Sequence, residues 1–103
     1  MRIPTRFKLH GQTIEVGFDS AVDFRNDNRG EAQYRINRIA LAPSTGTHPR
    51  PVTQVEQTFC HELMHYLSHH AGIDMSEREI DLMGNLLHQA LTTMEYQSKE
   101  RKP

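Results

Sequence analysis

Residues 51–72 read PVTQVEQTFCHELMHYLSHHAG. Val55, Phe59, Leu63, Tyr66 and Leu67 recur at helical spacing and make one apolar stripe. The run carries its own start and stop signals. Thr53, with Glu56 three residues on, fits a capping box, and Gly72 suits the left-handed residue that ends a helix. The stretch therefore predicts an α-helix with one face on a core. On that helix His61, Glu62 and His65 spell H-E-x-x-H. Residues four apart lie about 40° apart and about 6 Å along the axis, so His61 and His65 project side by side. Their imidazoles can converge on one ion, with Glu62 near enough to reach water beside it without being a ligand. Two neutral imidazoles hold Zn²⁺ and leave positions open, and a neighbouring carboxylate takes a proton from water as it attacks a carbonyl.

Three fixed residues in a chain with seven His and thirteen acidic residues are open to a chance match. Placement weighs against chance. The motif falls in mid-helix, at the margin of the apolar stripe, where a cleft-lining face sits. His69 continues the row, but about 12 Å along the axis from His61, too far to share an ion with it. It reads as a polar helix end, and His70 as a packing or capping residue. Cys60 points away from the row and reads as a small buried residue.

A second helix follows. Ser76 with Glu79 is another capping box, opening a helix that is expected to run to about Gln97. Ile80, Met83, Leu86, Leu87, Ala90, Leu91 and Met94 form its apolar stripe, while Glu77, Asp81, Gly84 and His88 line one flank with Asn85 beside Asp81. Glu79 is committed to the cap. Glu77 stands in the first turn, where the helix dipole and solvent account for an acid. Asp81 lies a full turn in, at the edge of the stripe, where an acid calls for a partner such as Zn²⁺. The expected metal donors are therefore His61, His65 and Asp81, with Glu77 as the alternative third donor and Glu62 as the catalytic base. His88, on Asp81's flank, and Tyr66 are candidates for contacting substrate; the place of Tyr66 on the stripe favours a core role.

The first half alternates instead. Phe7 and Leu9, then Ile14, Val16 and Phe18, stand at two-residue spacing on either side of His10-Gly11, which predicts two strands around a tight turn. FRNDNRGEAQ (24–33) reads as loop, YRINRIALAP (34–43) as a third strand ended by Pro43, and STGTHPRP (44–51) as loop. The order is β-β-β-α-α, an α+β class.

The 103 residues allow one domain, 1–103. Twelve basic against thirteen acidic residues leave a formal charge of −1, with no clustered basic face to suggest a nucleic-acid partner. Mean hydropathy is −0.69, and no run approaches a membrane span or a signal peptide. One cysteine excludes an intramolecular disulfide and suits a reducing compartment. The expectation is a cytoplasmic protein. The tail KERKP (99–103) reads as a frayed helix end that could also fold back over the site.

HELMH (61–65) on one helix and IDLMGNLLHQAL (80–91) on the next, preceded by GEAQY (30–34) and EQTFC (56–60), resemble the gluzincin metallopeptidases, above all their minimal single-domain and phage-type members. The resemblance covers most of the chain. It implies a small zincin-like domain with about three strands, Zn²⁺ as cofactor, a peptide or protein substrate, and an edge strand that pairs with that substrate, for which 34–42 is the candidate. It also implies a Glu as third ligand, followed four residues later by an Asp or Asn that supports a ligand histidine. The matching positions are Asp81 and Asn85, so Asp stands where the family has Glu. A zinc peptidase is the primary expectation. The alternative is a non-catalytic module that keeps the zincin frame and the ion and holds a partner protein.

Overall fold

The computed structural model describes residues 1–22, 29–45 and 48–98. Strands β1 (Arg6–Leu9) and β2 (Gln12–Phe18) form an antiparallel hairpin in which Leu9 pairs with Gln12. The two-residue turn needs positive φ at both positions, and His10 (φ 50°) and Gly11 (φ 75°) supply it. Strands β3 (Gly30–Gln33) and β4 (Arg38–Leu41) form a second antiparallel hairpin, and β4 pairs in parallel with β2 from Glu15↔Arg38 to Phe18↔Leu41. The sheet order is thus β1-β2-β4-β3. A two-residue pair, β5 (Ser44–Thr45) with β6 (His48–Pro49), leads into α1 (Val52–Ala71) and α2 (Glu77–Thr93). The chain has the expected α+β class, with four strands in its main sheet where three were expected.

The core lies between sheet and α1. Ile14, Ile39 and Leu41 from the sheet meet Val55, Phe59, Cys60 and Tyr66 from α1, and Leu87 and Leu91 of α2 close the cluster. The Tyr66 hydroxyl donates to the carbonyls of Gln33 (2.9 Å) and Arg38 (3.2 Å), the two ends of the 3₁₀ turn Tyr34–Ile36.

Several expectations change. Residues 30–33 are a strand rather than a loop, because Gly30 lets the chain lie against α1: a Cβ there would stand 2.6 Å from Thr58 Cγ2 and 3.2 Å from Glu62 Cγ. The edge strand is consequently β3; the stretch 34–42 splits into the 3₁₀ turn and β4, which is interior. Helix α1 is capped by Pro51 with no side-chain cap, since Glu56 is drawn inward to His88. Helix α2 stops at Thr93, Met94 being extended, after Thr92 and Thr93 turn their hydroxyls back onto the carbonyls of His88 and Gln89.

The Gly72 stop (φ 67°) and the Ser76–Glu79 capping box are both present as read from the sequence. The apolar stripe of α2 is rotated from the expected one: Ile80, Gly84 and His88 are buried, whereas Met83, Leu86 and Met94 are exposed. Residues 99–103, the possible fold-back segment, lie outside the described residues. Among the described residues no helix is long and apolar enough to cross a membrane.

Candidate metal centre

His61 and His65 stand one turn apart on α1 as the spacing requires, their ring centroids 5.0 Å apart. Both are partly exposed, at 22% and 27% of their side-chain surface. Across from them, the capping box fixes the start of α2 and so places Glu77 in its first turn. One carboxylate then spans both rings: Glu77 Oε1 lies 2.8 Å from His61 Nε2, and Oε2 lies 3.4 Å from His65 Nε2. One ligand atom from each of His61, His65 and Glu77 falls within 4.8 Å of the others, a group able to hold a metal ion.

Asp81 is not in that group. Its Oδ1 lies 3.4 Å from Nδ1 of His61, on the far side of the ring from Glu77. The acid that lies with both histidines is therefore Glu77, one turn before the expected residue, while Asp81 lies beside His61 alone. The reason is reach. Glu77 has one more methylene and starts from the end of α2 that faces both imidazoles, while Asp81 is level with His61 alone. Asn85 lines the cleft further along.

Close approach of the helices makes this possible. A Cβ on Gly84 would lie 3.0 Å from His61 Cα and 3.2 Å from His61 N, so α2 touches the backbone of α1 at the first histidine.

Glu62 is buried, 7% exposed, between His61 and β3. Burial pushes its carboxyl up to about 7; the carboxylates of Glu77 and Glu31 push the same way, while His61 and a hydrogen bond from the Ala32 N–H oppose them. Ala32 belongs to the edge strand, so β3 holds the carboxylate from one side and α1 from the other. A two-part cleft opens on either side of His61, Glu62 and Gly30, about 350 Å³ toward Gln57 and Asn85 and about 550 Å³ toward Tyr34 and His65.

The remaining candidates lie elsewhere. His88 is buried, with Nε2 3.0 Å from Glu56 Oε1, and the other Glu56 oxygen is 3.3 Å from the N-terminal ammonium. It does not line the cleft on either side. Tyr66 is a core residue, 0% exposed. Cys60 is also fully buried, and burial raises its thiol to about 11, which makes it inert.

Two residues that sequence reasoning missed belong to the site. Tyr34 stacks on His69 (4.3 Å between centroids), lies edge-on to Tyr66, and lines the cleft with His65 and Glu77. Its phenol is raised first by burial, then by the charges of Glu62, Tyr66 and Glu77. Arg50 is buried and donates to the carbonyls of Arg29 and Ala42 (3.0 Å each), to the Gln54 carbonyl and to the Thr58 hydroxyl, tying the approach to β3 to the first turns of α1. A lone Pro-Arg-Pro in a loop gives no sign of that role, and Tyr34, read as the first residue of a strand, gives none either.

Compared with family profiles, curated proteins and solved structures, the chain matches none of them.

Proposed function

We propose that the chain is a zinc-dependent peptidase in which His61, His65 and Glu77 hold the ion and Glu62 is the general base. One observation carries the reading: an H-E-x-x-H helix and a facing acid bring three donors together directly beside a buried carboxylate. The donor set fits zinc, which takes imidazole and carboxylate ligands and in catalytic sites keeps a position open beyond three protein ligands. When bound, Zn²⁺ supplies Lewis acidity to a carbonyl and to water.

The chain's own residues do the rest. Glu62, held by Ala32, accepts a proton and returns it to the leaving nitrogen. Asp81, 3.4 Å from Nδ1 of His61, is placed to orient that ring and leave Nε2 for the ion. Strand β3, at the sheet edge beside Glu62, offers backbone groups to an extended peptide. Tyr34 stands over the same part of the cleft, where its hydroxyl can donate to an oxygen that gains charge.

The register now also agrees with the gluzincin resemblance, since Glu77 and Asp81 are a Glu and, four residues later, an Asp.

Hydrolysis of a denatured protein by the purified zinc-loaded chain, against its Glu62→Gln variant, tests the proposal. The variant keeps the ion and loses about 10²- to 10⁴-fold in rate, the usual contribution of a general base. Equal rates in the two proteins would sink it.

A further inference from the structure

A second pair of imidazoles meets where the β1–β2 turn reaches the end of α1. His10, in the β1–β2 turn, and His70, in the last turn of α1, bring their Nδ1 atoms to 3.2 Å, with ring centroids 5.3 Å apart. They are sixty residues apart in sequence, so the meeting is made by the tertiary fold. Neither belongs to the His61–His65–Glu77 group.

Two ring nitrogens this close either share one hydrogen or direct both lone pairs at one cation. Nitrogens each about 2.0–2.1 Å from an ion stand about 2.9 Å apart at a right angle and about 3.4 Å apart at the tetrahedral angle. The observed 3.2 Å falls within that range.

From this geometry we propose that His10 and His70 form a second site for a divalent transition-metal ion of the class that prefers imidazole: Zn²⁺, Ni²⁺ or Cu²⁺. Three further features support it. His10 occupies a left-handed position (φ 50°) in a two-residue hairpin turn, which fixes where its side chain leaves the backbone. The His70 ring stacks at 25° on Tyr66, which is fully buried and tied to two carbonyls, so the nitrogen is presented from a fixed platform. His70 also lies in the last turn of a helix of twenty residues, whose C-terminal carbonyls favour a cation nearby.

Two protein donors leave the other positions to water or to a donor from another molecule. This site is therefore weaker than the three-donor centre, and it binds Cu²⁺ more tightly than Ni²⁺ or Zn²⁺, following the general order for nitrogen ligands. An ion here ties the β1–β2 turn to the end of α1.

The test is metal stoichiometry by equilibrium dialysis, with Zn²⁺ and then Cu²⁺, on the full chain and three variants. Asn accepts the left-handed conformation, so His10→Asn removes the ligand while keeping the turn. The proposal expects two ions on the unaltered chain, one on His10→Asn, one on His61→Ala/His65→Ala, and none on the combined variant. Substoichiometric Cu²⁺ added to His61→Ala/His65→Ala should broaden the ring signals of His10 and His70 before any others in the NMR spectrum. If His61→Ala/His65→Ala binds no ion, or binds one that survives His10→Asn, the proposal is overturned. Because the second site is read in a background without the first, its failure leaves the peptidase reading standing, and the reverse also holds.

Discussion

Gly84→Ala is the sharpest probe of how the centre is built. The added Cβ would lie 3.0 Å from His61 Cα, 3.2 Å from His61 N and 3.4 Å from Cys60 C. Non-bonded carbons are comfortable at about 3.5–4.0 Å, so the helices must part by roughly half an ångström. All three obstructing atoms are backbone, and no rotamer change relieves them. Overpacking of this kind costs about 1–3 kcal/mol, of which alanine's better helix propensity returns about 0.5–1. The metal-free variant should therefore lose up to about 2 kcal/mol, and its melting midpoint should fall by several degrees at about 4–8 °C per kcal/mol for a chain near this size. Glu77 and Asp81 ride on the displaced helix, and their contacts to His65 Nε2 and His61 Nδ1 are already 3.4 Å. Zinc affinity, measured by competition with a chelator, should drop about 10- to 100-fold, the range seen when support of a ligand is disturbed. A variant that melts above the parent and binds zinc equally well would show that the helices are not in contact at this glycine, and the geometry argued for Glu77 would fall with it.

Other outcomes follow from the same contacts. Glu77→Ala should release zinc, whereas Asp81→Ala should weaken it about 10- to 100-fold, as for a residue acting through a ligand; the reverse ranking in a chelator competition would restore Asp81 as third donor. Glu62→Gln should stabilise the metal-free protein at alkaline pH. The folded carboxyl is raised from 4.5 to about 7, so over that window the native state holds a proton the unfolded chain has released, and stability falls as pH rises. At about 1.36 kcal/mol per unit, the variant should gain at most about 3 kcal/mol by urea melts at pH 8 and almost nothing at pH 4; a gain at pH 4 as large as that at pH 8 would contradict a buried, late-titrating carboxyl. Zinc affinity should fall below about pH 6, where free imidazoles take up protons; affinity unchanged between pH 5 and 8 would argue against histidine ligation.

What could be read from the sequence was whatever local chemistry decides. The hairpin around His10-Gly11, the Gly72 stop and the Ser76–Glu79 box each rest on a few adjacent residues, and all three are in the structure. Strand β3 was invisible because GEAQ has no strand propensity of its own. It pairs because β4 lies beside it and because Gly30 fits against Thr58. The Thr53–Glu56 box failed for the opposite reason: a good local partner was outbid by a distant one, His88. On α2 two apolar arcs compete, and the broader one, through Met83 and Leu86, is the exposed one. Hydrophobic periodicity cannot show that a glycine marks the closest approach of two helices. Nor can it show that Glu77, in the first turn of α2, reaches both His61 and His65, which stand side by side as their spacing implied.

The parallel seam between β2 and β4 has a kinetic meaning. Each hairpin closes a short loop and can form early, but the seam joins Glu15 to Arg38 and must wait for both. The first hairpin carries His10, and the second carries the Ala32 amide that holds Glu62. Until the seam zips, the two hairpins have no fixed place relative to one another, so the sheet face that α1 packs on, with Ile14 from one hairpin and Ile39 and Leu41 from the other, is among the last things folding completes.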